Sequence, residues 1–461
     1  MRPHGEGPVS TGRRGFLRTA VGAGLLGTTA TGTAIGSGPR TAGGRTADVG
    51  EERWSYATEA RSFGVDSSPT VVDDTVYVGD WDGRLHAIDA STGEGLWRVD
   101  VADGPIRSAP TVVGDTVYFG SEDGTVYALD AATGDGNWTF DAGDGVVSSP
   151  TLVEDTVYVG NEAEFMYALD AATGDPDWRF SADGPVESSP TVVSGTVFFG
   201  AGSYQYALDA ATGDSYWRFG TGSTSRSSPT VDGGTVYVGA TGKSGIEALD
   251  AATGDLEWRF RSTITDASPT ITHGVSVLGR PETDRAVVFG DNNGNVFAID
   301  ADAGEKLWRF RTGGAVESSP TVADGVAFVG SDDRHVYALD VDTSYLRWRY
   351  ETGDAVRASP TVVDGVVYVA STDASVYALE AGVEGSSDGS RVTLGTLGHH
   401  DGWAGEMPAG DFDPGTTESS GDPHGIPLSG MDVTAGLAGL GGAGYLLARH
   451  RDSNDRGDGD Y

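Results

Sequence analysis

The chain has 461 residues, with 68 acidic against 30 basic side chains, a formal net charge of −38 and 71 glycines. It has no cysteine, which excludes disulfide staples, thiolate metal sites, cysteine nucleophiles, iron–sulfur clusters and a lipid-bearing cysteine. The negative field argues against a nucleic-acid partner, because such binding needs basic surface to displace phosphate counterions.

Residues 1–47 form the first segment. Thr11-Gly12-Arg13-Arg14-Gly15-Phe16-Leu17-Arg18 has the paired arginines, Phe-Leu and following basic residue of a twin-arginine export signal. The Gly/Ala/Thr stretch Thr19 to Gly36 is mildly apolar and suits the middle of such a signal better than a membrane span. The route carries folded proteins, so the domain is expected to fold in the cytoplasm and to work outside.

From 54 to 380 the chain repeats. A Ser/Ala-Pro-Thr element recurs at Pro69, Pro110, Pro150, Pro190, Pro229, Pro269, Pro320 and Pro360, spaced by 39 to 41 residues except for one step of 51. The long step reflects an insertion around His273–Asp284. A β-branched and aromatic run follows each start, as in Thr75 to Gly79. A polar turn, a second alternating run such as Val126 to Asp130, a Thr-Gly turn and a tryptophan strand complete the unit. Four short strands in a period near 40 predict the blades of a β-propeller, rather than a long sandwich or a solenoid. There are eight starts, but Trp97, Trp138, Trp178, Trp217, Trp258, Trp308 and Trp348 supply seven following outer strands. Trp54 precedes the first start. The expected fold is therefore all-β, an eight-bladed β-propeller of four-stranded blades, closed by an N-terminal strand.

The segment Ala87 to Trp97 (Ala-Ile-Asp-Ala-Ser-Thr-Gly-Glu-Gly-Leu-Trp) resembles the repeat of the PQQ-like (pyrroloquinoline quinone repeat) β-propeller family. It recurs from Ala128, Ala168, Ala207, Ala248 and Ala298; the copy from Ala338 loses the Thr-Gly and reads Asp342-Thr343-Ser344. The resemblance implies that these tryptophans dock neighbouring blades. The family includes quinoprotein dehydrogenases and the cofactor-free propeller lipoprotein of the outer-membrane β-barrel assembly machine, and this chain resembles the cofactor-free branch. The dehydrogenase branch implies PQQ with calcium held by acidic and amide side chains, a catalytic Asp and often a vicinal disulfide. The disulfide is impossible here, and no ligand set carries over residue by residue. The aspartate-rich composition, with Lys243 and Lys306 as the only lysines, resembles proteins of salt-loving archaea, and a halophilic, haloarchaeal type is expected. Molar salt shortens the Debye length to about 3 Å and relieves self-repulsion.

Few residues carry chemistry. Asp80-Trp81-Asp82-Gly83, Asp291-Asn292-Asn293-Gly294-Asn295 and Ser331-Asp332-Asp333 lack the spacing of a calcium loop and read as hairpin turns. His399-His400-Asp401 lies in a Gly-rich stretch and reads as linker. Three residues before each blade-starting proline come Asp66, Arg107, Val147, Glu187, Arg226, Asp266, Glu317 and Arg357. They should ring the channel mouth, with Arg226 between Glu187 and Asp266 and Arg357 between Glu317 and Asp66. The ring serves either as inter-blade ion pairs or as a polar-ligand or anion site with arginine forks. The turns after first and third strands, with Asp73, Asp115, Asp89 and Asp130 among their acids, share one face. The opposite face carries the ring and the variable turns Glu162–Tyr167 and Ala240–Ile246, and is the expected partner face.

Residues 381–430 are Gly, Ser, Asp, Thr and Pro and read as a flexible linker. Residues 431–448 contain an apolar run, Val433 to Ala448, ahead of Arg449-His450-Arg451, and are expected to be a short C-terminal membrane anchor followed by a polar tail, 449–461. Asn137 heads a glycosylation sequon. The expectation is an exported, surface-tethered scaffold that binds a protein partner at the cell surface, with no catalytic residue, metal or cofactor. The alternative is a PQQ-dependent dehydrogenase of alcohols or sugars.

Overall fold

Short β-branched and aromatic runs, each broken by Gly or Asp, cannot bury themselves singly and must stack. The computed structural model describes residues 48–387 apart from 223–225, 241–244, 264–265 and 277–282. Among the described residues these runs form 32 strands, β1 to β32 in chain order, in eight four-stranded antiparallel sheets, and no helix. The fold is the eight-bladed β-propeller expected from the repeat.

The first blade shows the plan. Strands β2 (Thr70–Val72), β3 (Thr75–Gly79), β4 (Arg84–Asp89) and β5 (Gly95–Asp100) run outward in that order. The three inner strands are buried on both faces, because each sheet is sandwiched between two others; only the outermost alternates exposed and covered residues. The cores lie between blades. One joins Val72, Tyr77 and Leu85 of the first blade to Ile106, Val117 and Phe119 of the second. Burying a side chain of this size stabilises by about 1.5–3 kcal/mol. The last blade contains β30 (Thr361–Val363), β31 (Val366–Ser371) and β32 (Ser375–Glu380), and its outermost strand is β1 (Glu52–Ala57), with Trp54 opposite Ala378. The ring is thus closed by the two ends of the repeat array.

Two motifs explain the sequence pattern. Each threonine of the Ser/Ala-Pro-Thr element donates its hydroxyl to the proline carbonyl of the next blade, from Thr70 to Pro110 at 2.6 Å round to Thr361 and Pro69. Beside this closed ring, serine hydroxyls accept backbone N–H groups of the preceding blade, as in Ser149 from Ala109 at 2.9 Å. At the periphery every docking tryptophan donates Nε1–H to a carbonyl in the next blade's turn, at 2.5 to 3.1 Å. The turn glycine lies against that ring: Gly93 has φ +73°, and a Cβ there would come within 2.7 Å of Trp54. Ser344 takes this left-handed position in the seventh blade. In the closing blade Gly50, from the other end of the array, takes it. Its N–H donates to the Glu380 carbonyl at 2.8 Å and it lies against Trp348.

The connections from outermost to next innermost strand share one face, here the upper, with the turns between second and third strands. The lower face carries the acidic turns. Residues 381–387, expected as linker, are packed on this lower face. Ser387 is buried and its N–H donates to the Val362 carbonyl at 2.8 Å, while Gly385 donates to Asp324 at 2.7 Å. The insertion of the sixth blade falls between its first two strands.

Candidate functional site

The mouth of the channel on the upper face is built by two tiers of residues. The first is the predicted ring, where each chain segment drops from the rim onto an inner strand. The second comes from the tight turns between second and third strands: Trp81, Glu122, Glu162, Asn292 and Asp332. Each stands one residue after the last residue of a strand or its first turn residue, held by a backbone that its neighbours pin. Asp80 Oδ1, for example, accepts the N–H groups of Asp82 and Arg84 at 2.9 and 3.0 Å.

The two tiers interlock. Arg226 Nε donates to Glu187 at 2.9 Å, one of the expected pairs. Asp266 accepts instead from Asn292 at 2.9 Å. Arg357 Nε lies 3.1 Å from Asp332 and 3.5 Å from Glu317. Asp66 accepts the Trp81 indole N–H at 3.0 Å rather than meeting Arg357 directly. Arg107 pairs with Glu122 at 3.1 Å and lies over the Trp81 ring, 5.5 Å from its centroid. Val147 interrupts the polar ring. All three guanidiniums therefore already hold carboxylates.

The balance of charge at the mouth is negative. Burial pushes the carboxyl groups of Asp66 and Glu317 above the usual range, with the arginines only partly offsetting it. Glu162 is raised by burial and by the neighbouring Glu187 and Glu122. An anion would have to displace carboxylates from arginine; a cation would meet unspent negative charge.

The second tier could have been found in the sequence by aligning the turn residues at one offset, Asp80-Trp81 with Ser121-Glu122, Asn161-Glu162, Asp291-Asn292 and Ser331-Asp332. The aspartate turns bind their own backbone. Asp291 accepts from Asn293 N–H, Asn295 N–H and the Thr263 hydroxyl at 2.8 to 3.0 Å. Among the described residues no group of three His, Asp or Glu side chains is placed to hold a metal ion. Asn137 is exposed on the outermost strand of the second blade. The twin-arginine segment, most of the variable turn at 241–244, His399-His400-Asp401 and the membrane-anchor segment lie outside the described residues.

A family model described as outer membrane protein assembly factor BamB matches residues 44–162, 138–206, 167–309 and 292–386. Among solved structures, BamB from Moraxella catarrhalis is similar with a TM-score of 0.60 and 20% identity, over 72% of this chain and all of that one, 100%. The computationally designed Ika8 protein gives 0.60 and 18%, over 70% and 98%. Quinohemoprotein alcohol dehydrogenase from Comamonas testosteroni gives 0.59 and 19%, over 73% and 76%. These likenesses show the fold. No curated protein matches the chain by sequence.

Proposed function

The chain belongs to the repeat family described as outer membrane protein assembly factor BamB, and from that premise we propose that it is a protein-binding scaffold, exported by the twin-arginine route and tethered outside the cell by its C-terminal segment. One observation carries the reading. Seven of the eight first-to-second strand turns hold two residues, as at Asp73-Asp74, the sixth blade carrying its insertion there, and the second-to-third turns hold two to four, as from Asp80 to Gly83. On the upper face, among the described residues, no long loop rises from the second-to-third turns to enclose a small molecule, so the blades offer a broad face of fixed side chains there, which suits a protein partner. The haloarchaeal reading rests on the acid excess, and the anchor on the apolar run before Arg449.

The test is a titration of the purified full-length chain with pyrroloquinoline quinone and calcium, following cofactor absorbance and dye reduction. No binding and no reduction are expected. Tight stoichiometric binding overturns the scaffold. Crosslinking in native membranes at molar salt then identifies the partner.

A further inference from the structure

One junction on the upper face departs from the repeat. Val146 follows Trp138 by eight residues and Val186 follows Trp178 by eight, whereas Val65 follows Trp54 by eleven. All three valines are fully buried, so the surplus residues loop out between them. They hold Phe63, whose side chain is 72% exposed. Glu59 and Phe63 both have positive φ, +60° and +41°, a conformation that a bulky residue adopts only when its surroundings impose it. Those surroundings are visible. Thr58 N–H donates to the Ala374 carbonyl at 2.9 Å, Arg61 N–H to Asp82 at 3.0 Å, and Gly64 lies so near Thr372 that a Cβ would come within 2.3 Å of its carbonyl oxygen.

The loop sets the Phe63 ring 4.9 Å from Trp81. Trp81 is the one aromatic residue described in the second tier, and it carries Arg107 on its ring and Asp66 on its indole N–H. Asp66 Oδ1 accepts no hydrogen bond. The serine ring below is also broken here, since Ala109 has no hydroxyl to offer Ser68. An aromatic pair, exposed at Phe63 and half-buried at Trp81, held beside a mouth where carboxylates outnumber guanidiniums, has the character of an anchor for a cationic, partly apolar chain.

We propose that the Phe63–Trp81 platform docks an extended arginine- or lysine-bearing segment of the partner protein, its apolar side chains on Phe63 and its cations over the acidic mouth. This rests on the scaffold reading and names the chemistry of its partner. The probe is a fluorescent octapeptide of alternating Arg and Leu, added to the full-length protein in molar salt, where bulk attraction is screened. Its Glu/Leu counterpart is the control. The Arg/Leu peptide should bind and shift the Trp81 resonance of 5-fluorotryptophan-labelled protein, assigned with Trp81→Phe. Phe63→Ser, a change at an exposed ring, should weaken binding by roughly tenfold or more with the melting temperature kept, and Phe63→Trp should restore it. Equal binding of both peptides, or binding indifferent to Phe63→Ser, overturns the site. If native crosslinks persist in Phe63→Ser, this site fails while the scaffold stands; stoichiometric quinone binding removes the scaffold itself.

Discussion

Gly174 has φ +76°, and a Cβ there would lie 2.6 Å from the Trp138 ring. Gly114 also has positive φ, +55°, but has nothing within 4 Å. Gly114→Ala should therefore cost only the left-handed backbone penalty, about 1–2 kcal/mol. Gly174→Ala should cost about 1–3 kcal/mol more, because it displaces a blade-docking tryptophan; urea melts of the two variants compare the terms. Carboxylates divide in the same way. Hydrogen bonds from Ser91 and Thr92 hold Asp89 below the usual range, and one from Tyr216 does the same for Asp209. Their stabilisation is present above the ordinary carboxylate pKa and is lost as pH falls through the lowered one. Asp66 and Glu317 are raised, so their charged forms oppose folding at neutral pH, and this opposition vanishes as pH falls below their unfolded values. Stability measured from pH 7 downward should first gain from the mouth and then fall as the turns protonate. Asp66→Asn together with Glu317→Gln and Glu162→Gln should remove the gain and leave the fall. The closing seam adds a polar group: His86 is fully buried between Tyr56 at 3.2 Å and Asp80 at 3.0 Å. Asp80→Ala should lower stability by at least about 1–3 kcal/mol, seen in thermal melts, by leaving His86 and the Asp82 and Arg84 N–H groups without that acceptor.

At the scale of elements, the blade count and the closing strand were legible in the sequence because every blade repeats one pattern and Trp54 is the odd tryptophan at the start. The purpose of Ser/Ala-Pro-Thr was not. Its threonine finds a proline carbonyl in the following blade, a contact between neighbouring copies that no single copy displays. The closing turn was hidden for a related reason: Gly50 and Glu380 rebuild it from opposite ends of the array. In the mouth the ring positions could be read from their offset, and so could the pairing of Arg226 with Glu187 and of Arg357 with Glu317, but the other partners could not. Those partners stand on another turn, and Asp66 and Asp266 prefer Trp81 and Asn292 to the arginines. The seam can be tested directly. Ala57 and Ser375 are facing partners in β1 and β32, and the chain has no other cysteine to interfere. The double variant Ala57→Cys/Ser375→Cys, once oxidised, should raise the denaturation midpoint by an amount equivalent to about 2–5 kcal/mol, and reductant should abolish the gain.

For the whole molecule, charge and closure act together. A net charge of −38 makes neighbouring blades repel, so dilute buffer should lower the melting temperature relative to molar salt; an unchanged or higher value would refute the halophilic reading. Closure joins strands from the two ends of the array, so the ring is complete only when all its blades exist. The two ends also leave together. Gly50 and residues 381–387 lie on the lower face, and β1 and β32 run antiparallel side by side. Force applied between the two termini would peel this pair from one end, breaking backbone hydrogen bonds one after another like a zip. Force entering through the upper-face turns of the other blades and leaving through the C-terminal segment would bypass β1. A propeller held by its C-terminus alone could thus carry a load without opening its own clasp, and an optical trap would read the two pulling geometries as different rupture forces.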